Sequence, residues 1–194
     1  VVHDYLVQNC EYDYERYSAN PDSVPEVSHT AYGGLVEKMA VCDGYGKAYA
    51  YIMNDKLGLP CEVVISDAMN HAWNLIQIDG EWYHVDATWD DPTWDSIGRV
   101  VHKYFLLSDT AISDSEHKHH DWATTRTANS TLYDTEYWSK INSAFCYNQG
   151  TWYYSQYQEE SSKTSLLKRN ELLSGTTENV YTESATWNNY GNSY

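Results

Sequence analysis

NHAWNLIQIDGEWYHVDATWDDP, residues 70–92, holds two strand-like runs around one Asp-Gly pair, and its reading decides the fold. Asp79-Gly80 suits a two-residue loop with positive φ, which makes the two runs an antiparallel hairpin. With that loop Ile78 stands opposite Glu81, and the same count pairs Leu75 with His84, Trp73 with Asp86 and His71 with Thr88. Opposed residues share a face, so His71, Trp73 and Leu75 lie on one face with His84, Asp86 and Thr88. His71 and Asp86 are then one diagonal step apart, within hydrogen-bond reach once side-chain length is added. A carboxylate so placed fixes the imidazole tautomer and stabilises its protonated form. Trp82 and His84, nearer the turn, read as supporting packing.

Upstream, AVCDGYGKAYAYIM (residues 40–53) carries Tyr45, Ala48, Tyr49 and Ile52 as one apolar stripe, with Ala50, Tyr51 and Met53 filling much of the rest. That pattern predicts a buried helix. It should end at LGLP, where Gly58 takes a left-handed cap and Pro60 forbids continuation. Cys42 falls in its first turn, where unpaired N–H groups and the positive end of the dipole favour a thiolate. Gly44 and Gly46 keep bulk away from the thiol, so a substrate or a facing sheet could approach. A thiol there wants a general base, and the hairpin offers an oriented one.

The rest of the chain frames this pair. VVHDYLVQNC is expected to be a short amphipathic helix, EYDYERYSANPDSVPEVS a loop, and HTAYGGLVEKMAVC a short helix turning into Cys42. CEVVIS and RVVHKYFLLSD read as strands flanking the hairpin. A helix followed by successive antiparallel strands describes an α+β domain with its helices on one side. From about residue 124 the texture turns polar. FCYNQGTWYYSQY, TSLLKRNELLSG and NVYTESATW then read as strands of a C-terminal β-rich appendage. The division is a catalytic domain over residues 1–124, a linker over 125–138, and an aromatic β segment over 139–194, with the chain expected to be part of a longer protein.

Composition narrows the function classes. Of 194 residues 28 are acidic and 12 basic, a formal charge of −16, which argues against nucleic acid and anionic lipid as partners. No apolar run approaches the roughly 20 residues that cross a bilayer, and the N-terminus lacks a signal-peptide pattern. Four scattered cysteines make no zinc pair; Cys10 and Cys61 read as buried, Cys146 as a strand residue, with a bridge among them left open. His117, His119, His120 and Asp121 read as a solvated loop rather than a metal site. No metal and no cofactor is expected. The 19 Tyr and 8 Trp suit a protein that meets polymers or walls outside the cell, and the strands TWYYSQY and ATWNNYGNSY are candidates for stacking on glycan.

V-C-D-G-Y-G-K-A-Y (41–49), N-H-A-W-N (70–74) and W-Y-H-V-D-A-T-W-D-D-P (82–92) together resemble the transglutaminase-like superfamily, in particular bacterial secreted or surface members. H-D-Y-L-V-Q-N-C-E-Y-D, T-A-Y-G-G-L and K-Y-F-L-L-S-D look like flanking blocks, so the resemblance covers roughly residues 1–121. It implies a papain-like core with Cys42, His71 and Asp86 as a catalytic triad. It also implies acyl transfer through a thioester on a peptide or protein amide, with hydrolysis slightly ahead of cross-linking. Tyr32 or His29 is expected to complete the oxyanion site beside the Cys42 N–H, while Trp73 and Trp89 wall the site or meet substrate. The rival readings are a non-catalytic protein- or glycan-binding module on the same fold, and a zinc hydrolase built on the His-rich loop.

Overall fold

The computed structural model describes residues 2–91, 98–173 and 175–184. Pro92 and the tail stretch ATWNNYGNSY lie outside them. The fold is α+β, as the element order predicts. A four-stranded antiparallel sheet runs in the order β3 (Cys61–Ser66), β4 (His71–Ile78), β5 (Glu81–Val85), β6 (Phe105–Leu107). The hairpin turns at Asp79 and Gly80, both at positive φ, and Ile78 pairs with Glu81 and Leu75 with His84 as counted. The pairing ends one step before the site: β5 stops at Val85, and the Asp86 N–H goes to the Tyr104 carbonyl at 2.9 Å. Trp73 with Asp86 and His71 with Thr88 are therefore not rungs of the ladder. Asp86 instead opens a turn, its Oδ1 accepting from the N–H groups of Thr88 and Trp89.

The helix α3 (Cys42–Tyr51) lies on this sheet, followed by a π-helical turn over Ile52–Lys56 and by Gly58 in the left-handed cap. Its two glycines serve packing. A Cβ on Gly44 would sit 2.2 Å from the Ser28 carbonyl oxygen, and one on Gly46 3.3 Å from Val63 Cγ1. The space left by Gly44 is thus filled by the chain's own backbone rather than offered to a substrate. The space at Gly46 lets the helix meet the sheet, where Asn74 Nδ2 donates to the Gly46 carbonyl at 2.9 Å.

The N-terminal helix α1 (Val2–Asn9) forms as expected. The following stretch is more ordered than its polar composition suggests: it contains α2 (Tyr14–Ala19), short 3-10 turns, and β1 (Glu11–Tyr12) paired in parallel with β2 (Met39–Ala40). Non-local partners impose this order. Asp13, buried, accepts from the Ser28 hydroxyl, and Val41 N–H reaches the Ser28 carbonyl, pinning the segment against the start of α3. A possible short helix before Cys42 is realised as a π turn over Gly33–Glu37.

A second antiparallel sheet follows, in the order β10 (Glu178–Thr182), β9 (Lys163–Arg169), β8 (Thr151–Gln158), β7 (Cys146–Asn148). Leu6, Tyr45, Tyr49 and Tyr83 pack in one cluster with Tyr133, Trp138, Ile141, Phe145 and Tyr154. Within the polar stretch 125–138, Ala128, Tyr133 and Trp138 are buried. No helix among the described residues is long and apolar enough to cross a membrane.

Candidate active site

Cys42 and His71 share a groove of about 570 Å³, whose lining also includes Tyr17, Val24, His29 and Asp43. Cys42 enters it from the first turn of α3, His71 from the first residue of β4. His71 Nε2 lies 2.6 Å from Asp86 Oδ2, with Asp86 wholly buried and His71 nearly so. An ionised carboxylate accepts only, so Nε2 carries the hydrogen, and the lone pair or second hydrogen of the ring falls to Nδ1. Burial disfavours the His71 imidazolium, yet the Asp86 charge and hydrogen bond, with the Cys42 sulfur alongside, push it up to about 10. Burial likewise opposes an Asp86 anion, and the His71 charge with hydrogen bonds from two imidazoles holds it well below the usual carboxylate range.

Rings fix the orientation. Trp73 and Trp89 both stack near-parallel on His71, at centroid distances of 5.6 and 5.0 Å. Trp73 is buried and donates from Nε1 to His84 Nδ1 at 2.9 Å, while Trp89 is partly exposed. Because an indole N–H can only donate, His84 Nδ1 must accept, and its other nitrogen faces Asp109 Oδ1 at 2.8 Å. His84 is a structural link between β4, β5 and α4 (Asp109–Ile112), consistent with the supporting role read from the hairpin.

Of the two candidate oxyanion residues the structure brings one to the groove. His29 lines it, with Nδ1 2.8 Å from Asp43 Oδ1, and its carbonyl accepts from Lys47 Nζ at 2.6 Å. Tyr32 is 55% exposed and is not among the groove-lining residues.

His119 is the residue that sequence reading missed. It is wholly buried rather than solvated, and its Nε2 lies 2.9 Å from the same Asp86 oxygen that holds His71. Nothing local marks it: His117 and His120 sit in the same short run, and their rings pair with Asp114 and Asp121. Asp90 is also wholly buried; it accepts from the Tyr104 N–H and bonds His3 Nε2 at 3.0 Å. His3 and His102 both approach Asp4 Oδ1 at 3.3 Å, and Asp4 Oδ2 accepts from the Phe145 N–H at 2.7 Å.

Among the described residues two groups of His and Asp atoms converge within 4.8 Å, His3 with Asp4 and His102, and His71 with Asp86 and His119. In the second, the nitrogens stand 2.6 and 2.9 Å from one shared oxygen. Ligands about 2 Å from a central ion are spread wider than that, so the spacing is that of hydrogen bonds. Among the cysteines, Cys10 and Cys61 are buried thiols pushed up to about 12 by that burial, Cys146 is exposed, and all four are free.

The family profile described as Transglutaminase-like superfamily matches residues 1–87. The kyphoscoliosis peptidase of Mus musculus is 24% identical over 134 residues, covering 58% of this chain and 19% of that protein. The Homo sapiens kyphoscoliosis peptidase is 23% identical over the same length with the same coverage. This chain thus spans about a fifth of the length of these relatives. A solved structure described as "Crystal structure of a TGase" aligns with a TM-score of 0.38 at 24% identity, over 44% of this chain and 24% of that one.

Proposed function

We propose that the chain, whose residues 1–87 match the profile of the transglutaminase-like superfamily, is a cysteine enzyme transferring the acyl group of a peptide or protein amide through a thioester. The observation that carries this reading is a groove shared by a helix-start thiol and an imidazole whose far nitrogen is held 2.6 Å from a buried carboxylate. In the proposed cycle His71 Nδ1 takes the Cys42 proton and the thiolate attacks the amide carbonyl. The resulting oxyanion is met by the Cys42 backbone N–H, with His29, which lines the same groove, as the candidate side chain to assist. His71 then returns the proton to the leaving amine, and water or a second amine releases the acyl group. Asp86 keeps the ring in one tautomer throughout.

Hydrolysis is the favoured release, supported by the relatives' description as peptidases. Asp22, Glu26 and Asp67 along the groove, on a chain of formal charge −16, favour basic or neutral peptides over acidic ones. Contact with a wall polymer or glycan outside the cell belongs to the same proposal; Tyr147 and Tyr181 on the second sheet present exposed rings for it.

The test is labelling of the full chain by iodoacetamide near neutral pH. Cys42 is expected to react well ahead of exposed Cys146, with Cys10 and Cys61 silent, and His71→Ala is expected to abolish the lead. If Cys42 gains nothing over Cys146, the enzyme reading fails and a binding module on the same fold takes its place.

A further inference from the structure

We propose that His119 is a positioning residue of this site, donating to the Asp86 oxygen that His71 also uses and adding a fixed positive charge behind the carboxylate. The inference rests on the Cys42, His71 and Asp86 reading. It begins with which atoms face the ring. His119 Nε2 is 2.9 Å from Asp86 Oδ2, and Nδ1 is 3.0 Å from the His117 carbonyl oxygen. A carbonyl accepts only. So does Asp86, whose Oδ1 already receives two backbone N–H groups and which is strongly biased to its anion. Both ring nitrogens of His119 therefore carry hydrogens, and a wholly buried imidazolium stands beside Asp86.

Of the groups that face the ring, Asp86 favours a charge there and His71, itself pushed up by Asp86, opposes it. From β4 come His71, at 5.6 Å between ring centroids, and the Trp73 ring edge-on at 4.6 Å. From β5 comes His84, held neutral by the Trp73 donor; burial keeps it low, and the His119 charge adds to that against Asp109. From the loops come the Trp89 ring at 4.3 Å and the Tyr104 ring at 5.4 Å. Asp86 is the anion that His119 meets. The ring is held by its own backbone as well, since His119 N–H reaches the Ile112 carbonyl at 3.0 Å.

Two effects on the proposed chemistry follow. The oxygen that orients His71 is tethered from the opposite side, so it cannot swing with the ring as the proton moves. Its charge is also shared, so the Asp86 anion binds the His71 proton less tightly than an unshared carboxylate would. A base that holds its proton too firmly fails to return it to the leaving amine; His119 moderates that grip.

The test is the pH dependence of Cys42 alkylation in the full chain, for the unsubstituted protein, His119→Gln and His119→Leu. Gln keeps an N–H for Asp86 and removes the charge; Leu removes both. Losing a positive charge some 5–6 Å from His71 should move both limbs of the profile to higher pH by about one unit in each variant. His119→Leu should in addition lose about tenfold or more of the plateau rate, most of it restored in His119→Gln. Limbs that stay in place in a folded His119→Gln protein overturn the proposal, since a packing role alone would lower the plateau without moving them. Should both variants fail to fold, the ¹⁵N spectrum of histidine-labelled unsubstituted protein decides it: hydrogens on both His119 nitrogens above neutrality support the proposal, a neutral ring refutes it. Failure of the underlying reading is seen separately, as an unsubstituted Cys42 that reacts no faster than Cys146.

Discussion

Asp86→Asn isolates what the carboxylate does for the His71 ring. Asp86 is wholly buried and accepts four hydrogen bonds: Thr88 N–H at 3.0 Å and Trp89 N–H at 3.1 Å on Oδ1, His71 Nε2 at 2.6 Å and His119 Nε2 at 2.9 Å on Oδ2. In the variant the two backbone donors hold the amide oxygen where Oδ1 was, so the amide NH₂ must take the Oδ2 place. It then points hydrogens at two ring nitrogens that had been donors. His119 adapts by giving up its Nε2 hydrogen while Nδ1 continues to donate to the His117 carbonyl. His71 adapts only by moving its hydrogen to Nδ1, which faces Cys42, and a protonated Nδ1 cannot receive the thiol proton. The expected loss in Cys42 alkylation near neutral pH is about thirtyfold, the drop from a paired thiolate to an unassisted thiol that is only a few per cent ionised there. The stability cost should be only about 2 kcal/mol, because every buried polar atom keeps a partner. Second-order alkylation rates and urea unfolding of the two proteins measure both. A cooperatively folded Asp86→Asn protein that alkylates within tenfold of the original would refute the tautomer argument.

Other consequences are open to the same instruments. Gly44→Ala should cost about 3 kcal/mol or more in urea unfolding, since its Cβ would lie 2.2 Å from the Ser28 carbonyl oxygen. Gly46→Ala, whose Cβ would be tight against one Val63 methyl at 3.3 Å and in ordinary contact with the Trp73 carbonyl oxygen at 3.7 Å, should cost less than about 1 kcal/mol, because alanine favours the helix by a similar amount. Trp138→Ala, which empties a buried site beside Phe105 and Tyr133, should cost about 3–5 kcal/mol. Stability should also fall on both sides of neutrality. Asp86 and Asp4 are held below their ordinary 3.8, Asp86 by His71 and His119 and Asp4 by His102 and His3, each against burial; their contribution is present above that value and lost as pH falls beneath it. His3, against its own burial, is pushed up to about 9 by Asp4 and Asp90, so its contribution is complete below 6.5 and lost as pH rises through about 9. Melting temperatures measured across that range should form a plateau between about pH 4 and pH 6.5 and decline from there to about pH 9; a profile flat beyond both edges of that plateau would contradict the buried ion pairs.

The hairpin was legible because its information is local. A strand period of two and one Asp-Gly turn give the register as far as Leu75 opposite His84, and an apolar stripe with a Gly58 stop gives α3. The count outward from the turn predicted a contact that forms by another route: His71 and Asp86 meet, but only after Asp86 has left the ladder. What removes it is Tyr104, 18 positions along the chain, whose carbonyl takes the Asp86 N–H. The polar stretch 11–28 became ordered for the same kind of reason, since its short strand and the Asp13 carboxylate find partners at Met39 and Ser28. The histidines make the point most sharply. His119 bonds a carboxylate 33 residues away, His3 one that is 87 away and His102 one that is 98 away. A periodic pattern tells which face of an element is buried, and says nothing about which polar group on a distant segment will meet an inward-facing imidazole. In one chain the run His117, His119, His120 holds two rings paired with nearby carboxylates of their own loop and one ring that braces the candidate site. The difference lies in the backbone, where the Ile112 carbonyl takes the His119 N–H and turns that one ring inward. Buried charge in this protein is therefore placed by tertiary hydrogen bonding. Because an imidazolium buried without its carboxylate is far costlier than the pair, each such contact also fixes the relative position of the two segments that supply it.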